Sequence, residues 1–188
     1  MQWSKTKATI ESFLCEKLKG GIKVHATVYR KFHDRPSRVW ITLDKKEIVS
    51  ASDISYAVKY EKVYQQMKEK IDLKGIPYNE DWAAMFNSKE RQELEKLSDD
   101  AEVIMMNQNN TFESYYLYSA FMKYSSLSIE EAINSENILI RAYAMFDRRL
   151  GKRRLKELDI TEHTHPLILD FYKIRCDVEG ITSEFRRT

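Results

Sequence analysis

At 188 residues, with 43% hydrophobic and 32% charged side chains, the chain has the length and balance of a domain that builds a core without disulfides or metals, which excludes extended disorder. A formal net charge of +2 supplies no overall field toward nucleic acid or an anionic membrane, so binding of that kind has to come from local clusters. The N-terminus Met1-Gln2-Trp3-Ser4-Lys5 lacks a signal-peptide core, no run reaches a membrane span, and Cys15 and Cys176 read as buried reduced thiols; a cytoplasmic protein without a membrane partner is expected.

Ile10, Phe13, Leu14 and Leu18 recur at helical spacing before Gly20-Gly21, which predicts a helix over 6–19 with a glycine stop. The period then changes to two. Val24, Ala26 and Val28 alternate with Lys23, His25, Thr27 and Tyr29, and Val39, Ile41 and Leu43 alternate with Trp40 and Thr42, predicting two half-buried strands around a polar loop at 32–37. Asp44-Lys45-Lys46-Glu47 is a second turn and Ile48-Val49 begins a third strand, giving an antiparallel meander.

Beyond the meander the pattern is helical. Ser52 or Asp53 caps a helix carrying Ile54, Val58, Tyr60, Tyr64 and Met67 that ends at Lys74-Gly75. Asn79 caps a short turn around Trp82 to Phe86, Ser88 caps a charged helix over 89–108, and 107–110 is a loop. The segment 111–124, with Phe112, Tyr115, Tyr116, Tyr118, Phe121 and Tyr124, is a helix apolar nearly all round. Ser128-Ile129-Glu130-Glu131 has the spacing of a capping box, Ser135 caps a helix running to Leu150, a basic helix spans 152–158, and Pro166 opens a last helix that stops before Gly180. All five glycines then fall at predicted helix ends. The fold class is α+β: an N-terminal helix and three-stranded meander followed by a helical region. A single domain over 1–188 is expected, with room for two lobes, 1–75 mixed and 88–188 helical, joined through 72–88.

Four groups of residues have the types that chemistry or binding requires. Arg30, His33, Asp34 and Arg35 combine an imidazole, a carboxylate and two guanidiniums in one loop, which suits phosphate contact or acid–base work, although adjacent loop residues need not converge. His163 and His165, with Glu162 or Asp170, offer two or three metal ligands, but the same residues fit a polar linker into a proline-started helix. Arg148, Arg149, Lys152, Arg153, Arg154 and Lys156 put six cations in nine positions, for phosphates or for carboxylates within the molecule. The aromatic helix at 112–124 has only Lys123 among its rings, so it reads as core or as half core and half oligomer interface rather than as a base-stacking platform.

Several stretches carry a resemblance: Glu11-Ser12-Phe13-Leu14-Cys15 with Leu18-Lys19-Gly20; Tyr29-Arg30 with His33-Asp34; Asp44-Lys45-Lys46-Glu47-Ile48; Asp147 through Leu155; and His165-Pro166, Phe171-Tyr172, Arg175-Cys176 and Glu179-Gly180. They are similar to a family of uncharacterised bacterial proteins, common in Firmicutes, and the resemblance implies no assigned activity. Gly21 departs from the family pattern, in which arginine follows the first glycine.

The expectation from the sequence is a non-enzymatic binding or regulatory protein without a cofactor. Its partner is nucleic acid or another protein, met through Arg148, Arg149, Lys152, Arg153 and Arg154 and through Arg30 and Arg35. The alternatives are a phosphate-handling or phosphodiester-cleaving enzyme built on His33 and Asp34, and a structural homo-oligomer joined through 112–124.

Overall fold

The computed structural model describes residues 3–27, 36–71, 75–107 and 110–182. Two compact units make up the chain: residues 1–53 with 112–188, and residues 54–111. The architecture is α+β, as the sequence pattern requires.

In the first unit, helix α1 (Trp3–Ser12) leads into the antiparallel sheet β1 (Ile22–Thr27), β2 (Arg38–Leu43) and β3 (Lys46–Ser52), in the order β1-β2-β3. The register pairs Val24 with Ile41, His25 with Trp40 and Ile41 with Val49, and a bulge at Ile48 shifts the β2–β3 pairing so that Thr42 faces Glu47. Period-two alternation therefore sorts the side chains onto two faces. Ile22, Val24, Val39, Ile41, Val49 and Ala51 are buried on one, while Lys23, His25, Arg38, Trp40 and Ser50 stand on the other.

Of the helices that follow in this unit, α5 (Ser114–Tyr124), α6 (Ile129–Ile133), α7 (Ile138–Ala144), α8 (Lys152–Glu157) and α9 (Pro166–Glu179), it is α5 that lies against the sheet. Helix α5 touches both β2 and β3, and α7 packs against α5 and α9. Aromatic edges and faces fill the centre: the Tyr143 ring stands edge-on to Phe121 and Tyr124, and Phe146 stacks on Phe171 at 4.3 Å. One face of α5, comprising Ser114, Leu117, Ala120, Phe121 and Tyr124, is buried, while Tyr115 and Met122 on other faces remain half exposed.

Several helix ends are set by local chemistry. The capping box forms, with the Ser128 hydroxyl accepting from the Glu131 N–H and the Glu131 carboxylate accepting from the Ser128 N–H. Pro166 opens α9, and Gly180 ends it in the left-handed conformation at φ 68°.

Other boundaries differ from the expectation. Helix α1 stops at Ser12 rather than near residue 19, because the next backbone groups are taken by a distant segment: Cys15 N–H donates to the Phe146 carbonyl at 2.9 Å and Arg148 N–H to the Phe13 carbonyl at 2.7 Å. Gly20 therefore stands in a turn at φ 86° before β1 and not at a helix end. Asn137, not Ser135, caps α7, which ends at Ala144, and Phe112 precedes α5 as a bridge to Ala51. Val28 and Lys74 lie outside the described residues.

The second unit holds the rest of α2 (Asp53–Lys68), with α3 (Trp82–Phe86) and α4 (Lys89–Asn107). Asp81, itself fixed by Asn79, caps α3. Tyr56, Tyr60 and Tyr64 recur every four residues along α2 and stack in a row at 6.0 and 5.9 Å, and the Tyr60 hydroxyl hydrogen-bonds Ser98 of α4 at 2.7 Å. Leu97, Ala101 and Met105, also four apart, form the buried stripe of α4. Among the described residues no helix is long and apolar enough to cross a membrane.

Candidate functional site

The basic run is where the two ends of the chain meet. The carboxylate of Asp147 is fully buried and receives Arg149 Nη2 at 2.7 Å, the Arg149 N–H at 2.7 Å and the Tyr124 hydroxyl. Arg149 also lies over the Phe13 ring at 4.5 Å and donates to the Leu127 carbonyl. Its hydrogen bond to Asp147 pushes the guanidinium further toward its charged form, whereas burial and the same carboxylate push the Tyr124 phenol well above its ordinary range.

Helix α9 clamps this turn from behind. Arg175, 3% exposed, donates through its two Nη atoms to the carbonyls of Asp147 at 3.1 Å and Leu150 at 3.0 Å, and its Nε lies 3.3 Å from Glu179. Glu179 gathers Lys152 at 3.2 Å and Lys17 at 3.5 Å as well. Arg154 pairs with Glu130, and the exposed Arg153 with Glu157 at 3.0 Å. Arg149, Lys152, Arg153 and Arg154 thus each meet a carboxylate of the same unit, leaving the exposed Arg148 and Lys156 without an ion pair among the described residues. The family-like stretches at 13–15, 147–152 and 175–180 come together here as one architectural joint.

Arg30, His33, Asp34 and Arg35 lie outside the described residues. His163 is exposed beside Glu162 at 3.9 Å, whereas His165 caps α9, its Nδ1 accepting from the Leu167 N–H at 3.2 Å. No group of three His, Cys, Asp or Glu side chains among the described residues is placed to hold a metal ion.

The outer face of the sheet brings together a set of side chains that the sequence did not single out. His25 and Trp40, paired across β1 and β2, stack with ring centroids 5.1 Å apart and planes 15° from parallel. His25 Nε2 contacts Thr42 Oγ1 at 3.1 Å, and Arg38 lies 4.7 Å from the Trp40 ring centre, held by Glu47 at 2.6 Å and Ser50 at 3.1 Å. Burial and the charge of Lys7 lower the His25 pKa against the opposing pull of Glu11, with Lys23 adding to the depression.

These rings wall a cleft of about 640 Å³ that continues past Lys23, Gly20 and Gly21 to Asp44 and Lys45. Asp44 and Lys45 occupy the two-residue β2–β3 turn, both at positive φ, 48° and 70°. Such turns ordinarily carry asparagine or aspartate followed by glycine; a lysine in the second place is a departure. Among the described residues the exposed side chains of Lys23, Asp44 and Lys45 make no ion pair, in contrast to Arg149, Lys152, Arg153 and Arg154 of the basic run. His25 and Trp40 do fall on the polar-side positions of their strands, so alternation carried the signal. Only the β1–β2 register shows that they meet.

In the second unit, Ile76, Tyr78, Trp82, Met85 and Phe86 surround a hollow of about 340 Å³, with Tyr78 86% and Trp82 70% exposed.

Residues 2–176 match the SF0329 protein family, and the chain belongs to that family. No curated protein and no solved structure matches it.

Proposed function

We propose that the protein is a non-enzymatic binding module that takes up single-stranded nucleic acid in the cleft on the outer face of its sheet. The observation that carries this reading is the His25–Trp40 ring pair beside Lys23 and Lys45, two lysines without an ion pair among the described residues. Aromatic faces accept unstacked bases, and ammonium groups at the rim neutralise the phosphates that join them. A duplex offers no free base face to such a wall, which is why the single strand is the fitting form. The basic run, with Arg149 and Arg154 held by carboxylates, contributes to the joint of the fold more than to the contact surface. Buried free thiols at Cys15 and Cys176 are in keeping with a bacterial cytoplasmic setting.

Fluorescence anisotropy with a short labelled oligothymidylate tests the reading. Binding is expected at low salt, weakening steadily as salt rises, and is roughly tenfold or more weaker in Trp40→Ala. No binding at low salt, or binding indifferent to Trp40→Ala and Lys45→Glu, overturns it.

A second reading, self-association, is favoured by the exposed Tyr78, Trp82 and Phe86 of the second unit. It requires a concentration-dependent rise in mass by light scattering that Trp82→Ala abolishes.

A further inference from the structure

Resting on the reading of the sheet face as a single-strand site, we infer that the cleft selects guanine, and that Asp44 is the residue that reads it. The cleft is walled by the rings of His25 and Trp40, and its polar end is the Asp44-Lys45 turn. Asp44 presents a carboxylate, two acceptor oxygens; Lys45 beside it presents a donor. Along its Watson–Crick edge guanine offers two adjacent donors, N2–H and N1–H, followed by the O6 acceptor. An acceptor–acceptor–donor turn is complementary to that edge. Adenine presents a donor and an acceptor there, cytosine a donor and two acceptors, and thymine or uracil a donor between two acceptors; none offers two adjacent donors, so each sets one of its own acceptors against a carboxylate oxygen.

Three features tie the turn to this task. Asp44 and Lys45 have no ion-pair partner among the described residues, so neither charge is committed to the fold. Lys45 stands at φ 70°, where glycine would be relaxed, and strain kept at a cleft rim points to use of the side chain. Gly21 leaves room for the carboxylate: a Cβ at that position would come within 3.1 Å of Asp44 Oδ1. The Asp44 N–H is anchored on the Gly21 carbonyl at 3.0 Å, which fixes the turn against the start of β1.

Labelled oligothymidylates carrying one central guanine, adenine or cytosine supply the test. The native protein is expected to bind the guanine oligomer roughly tenfold more tightly than the others, the range of one bidentate contact. Asp44→Asn retains a residue that favours the turn and is expected to bring that ratio close to one, while oligothymidylate affinity stays level or rises with the loss of a negative charge. Gly21→Ala, which leaves every charge in place, is expected to lower the same ratio by displacing the carboxylate. Equal binding of all the oligomers by the native protein, or a guanine preference that survives Asp44→Asn, overturns the inference and leaves the single-strand reading standing. Failure of every oligomer to bind overturns both.

Discussion

Asp147 and Arg149, two positions apart, form an ion pair in which the carboxylate has no solvent exposure and the guanidinium reaches it through both Nε and Nη2, at 3.1 and 2.7 Å from Oδ2. Removing one partner of a buried pair leaves the other charge uncompensated, so Arg149→Ala is expected to lower the unfolding free energy by about 3 kcal/mol. Arg153→Ala, which breaks an exposed pair of the same run, is expected to leave the urea midpoint unchanged. Equal effects of the two substitutions would contradict the structural role given to Arg149.

Glu179 links stability to pH. Burial acts to raise its pKa, but the Lys152 hydrogen bond and the charges of Arg175, Lys152 and Lys17 outweigh it and hold the carboxyl below its ordinary value. A depressed folded-state pKa contributes stability that is full above the ordinary carboxylate range and is lost as pH falls through the folded value. Urea midpoints of the native protein and Glu179→Gln should therefore differ at pH 7 and converge in acid.

Cys15 and Cys176 are both buried and free, and burial raises the Cys176 thiol pKa. Thiol labelling at pH 8 is expected to be slow in the folded protein and to accelerate with unfolding in urea, both cysteines reacting together. Rapid labelling without denaturant would mean that the joint opens locally.

On the sheet face, Trp40→Ala is expected to weaken oligothymidylate binding roughly tenfold or more, as loss of a stacking ring does. Lys23→Ala is expected to cost less affinity but to reduce the slope of log K against log salt by about one, the signature of a phosphate contact. Calorimetric titration over a range of salt separates the two.

What the sequence made legible was local. The Ser128 capping box, the Pro166 start and Gly180 stop of α9, and the alternation of β1 and β2 depend on neighbours within a few residues, and they form where the pattern places them. The end of α1 depends on Phe146 and Arg148, far along the chain, and helical spacing through Leu18 gives no sign of it. The candidate site divides in the same way. Six clustered cations are plain in the sequence with Asp147 beside them, but Glu130 and Glu179 are brought to Arg154 and Lys152 by packing. Trp40 and His25 were visible as outward positions, while their meeting depends on cross-strand register.

Where the sheet meets the helices, Ser52 N–H donates to the Phe112 carbonyl at 3.3 Å, and Asp53 Oδ1 accepts from both the Ser114 N–H at 3.1 Å and the Ser114 hydroxyl at 2.6 Å. The chain therefore leaves the first unit at Asp53 and rejoins it beside the same spot. Residues 54–111 are in this sense a cassette. Because Ser52 and Asp53 bond directly to Phe112 and Ser114, a short glycine-serine bridge from Asp53 to Phe112 in place of 54–111 is expected to preserve the sheet. Segments of other lengths inserted at this seam are expected to leave the strand order β1-β2-β3 unchanged.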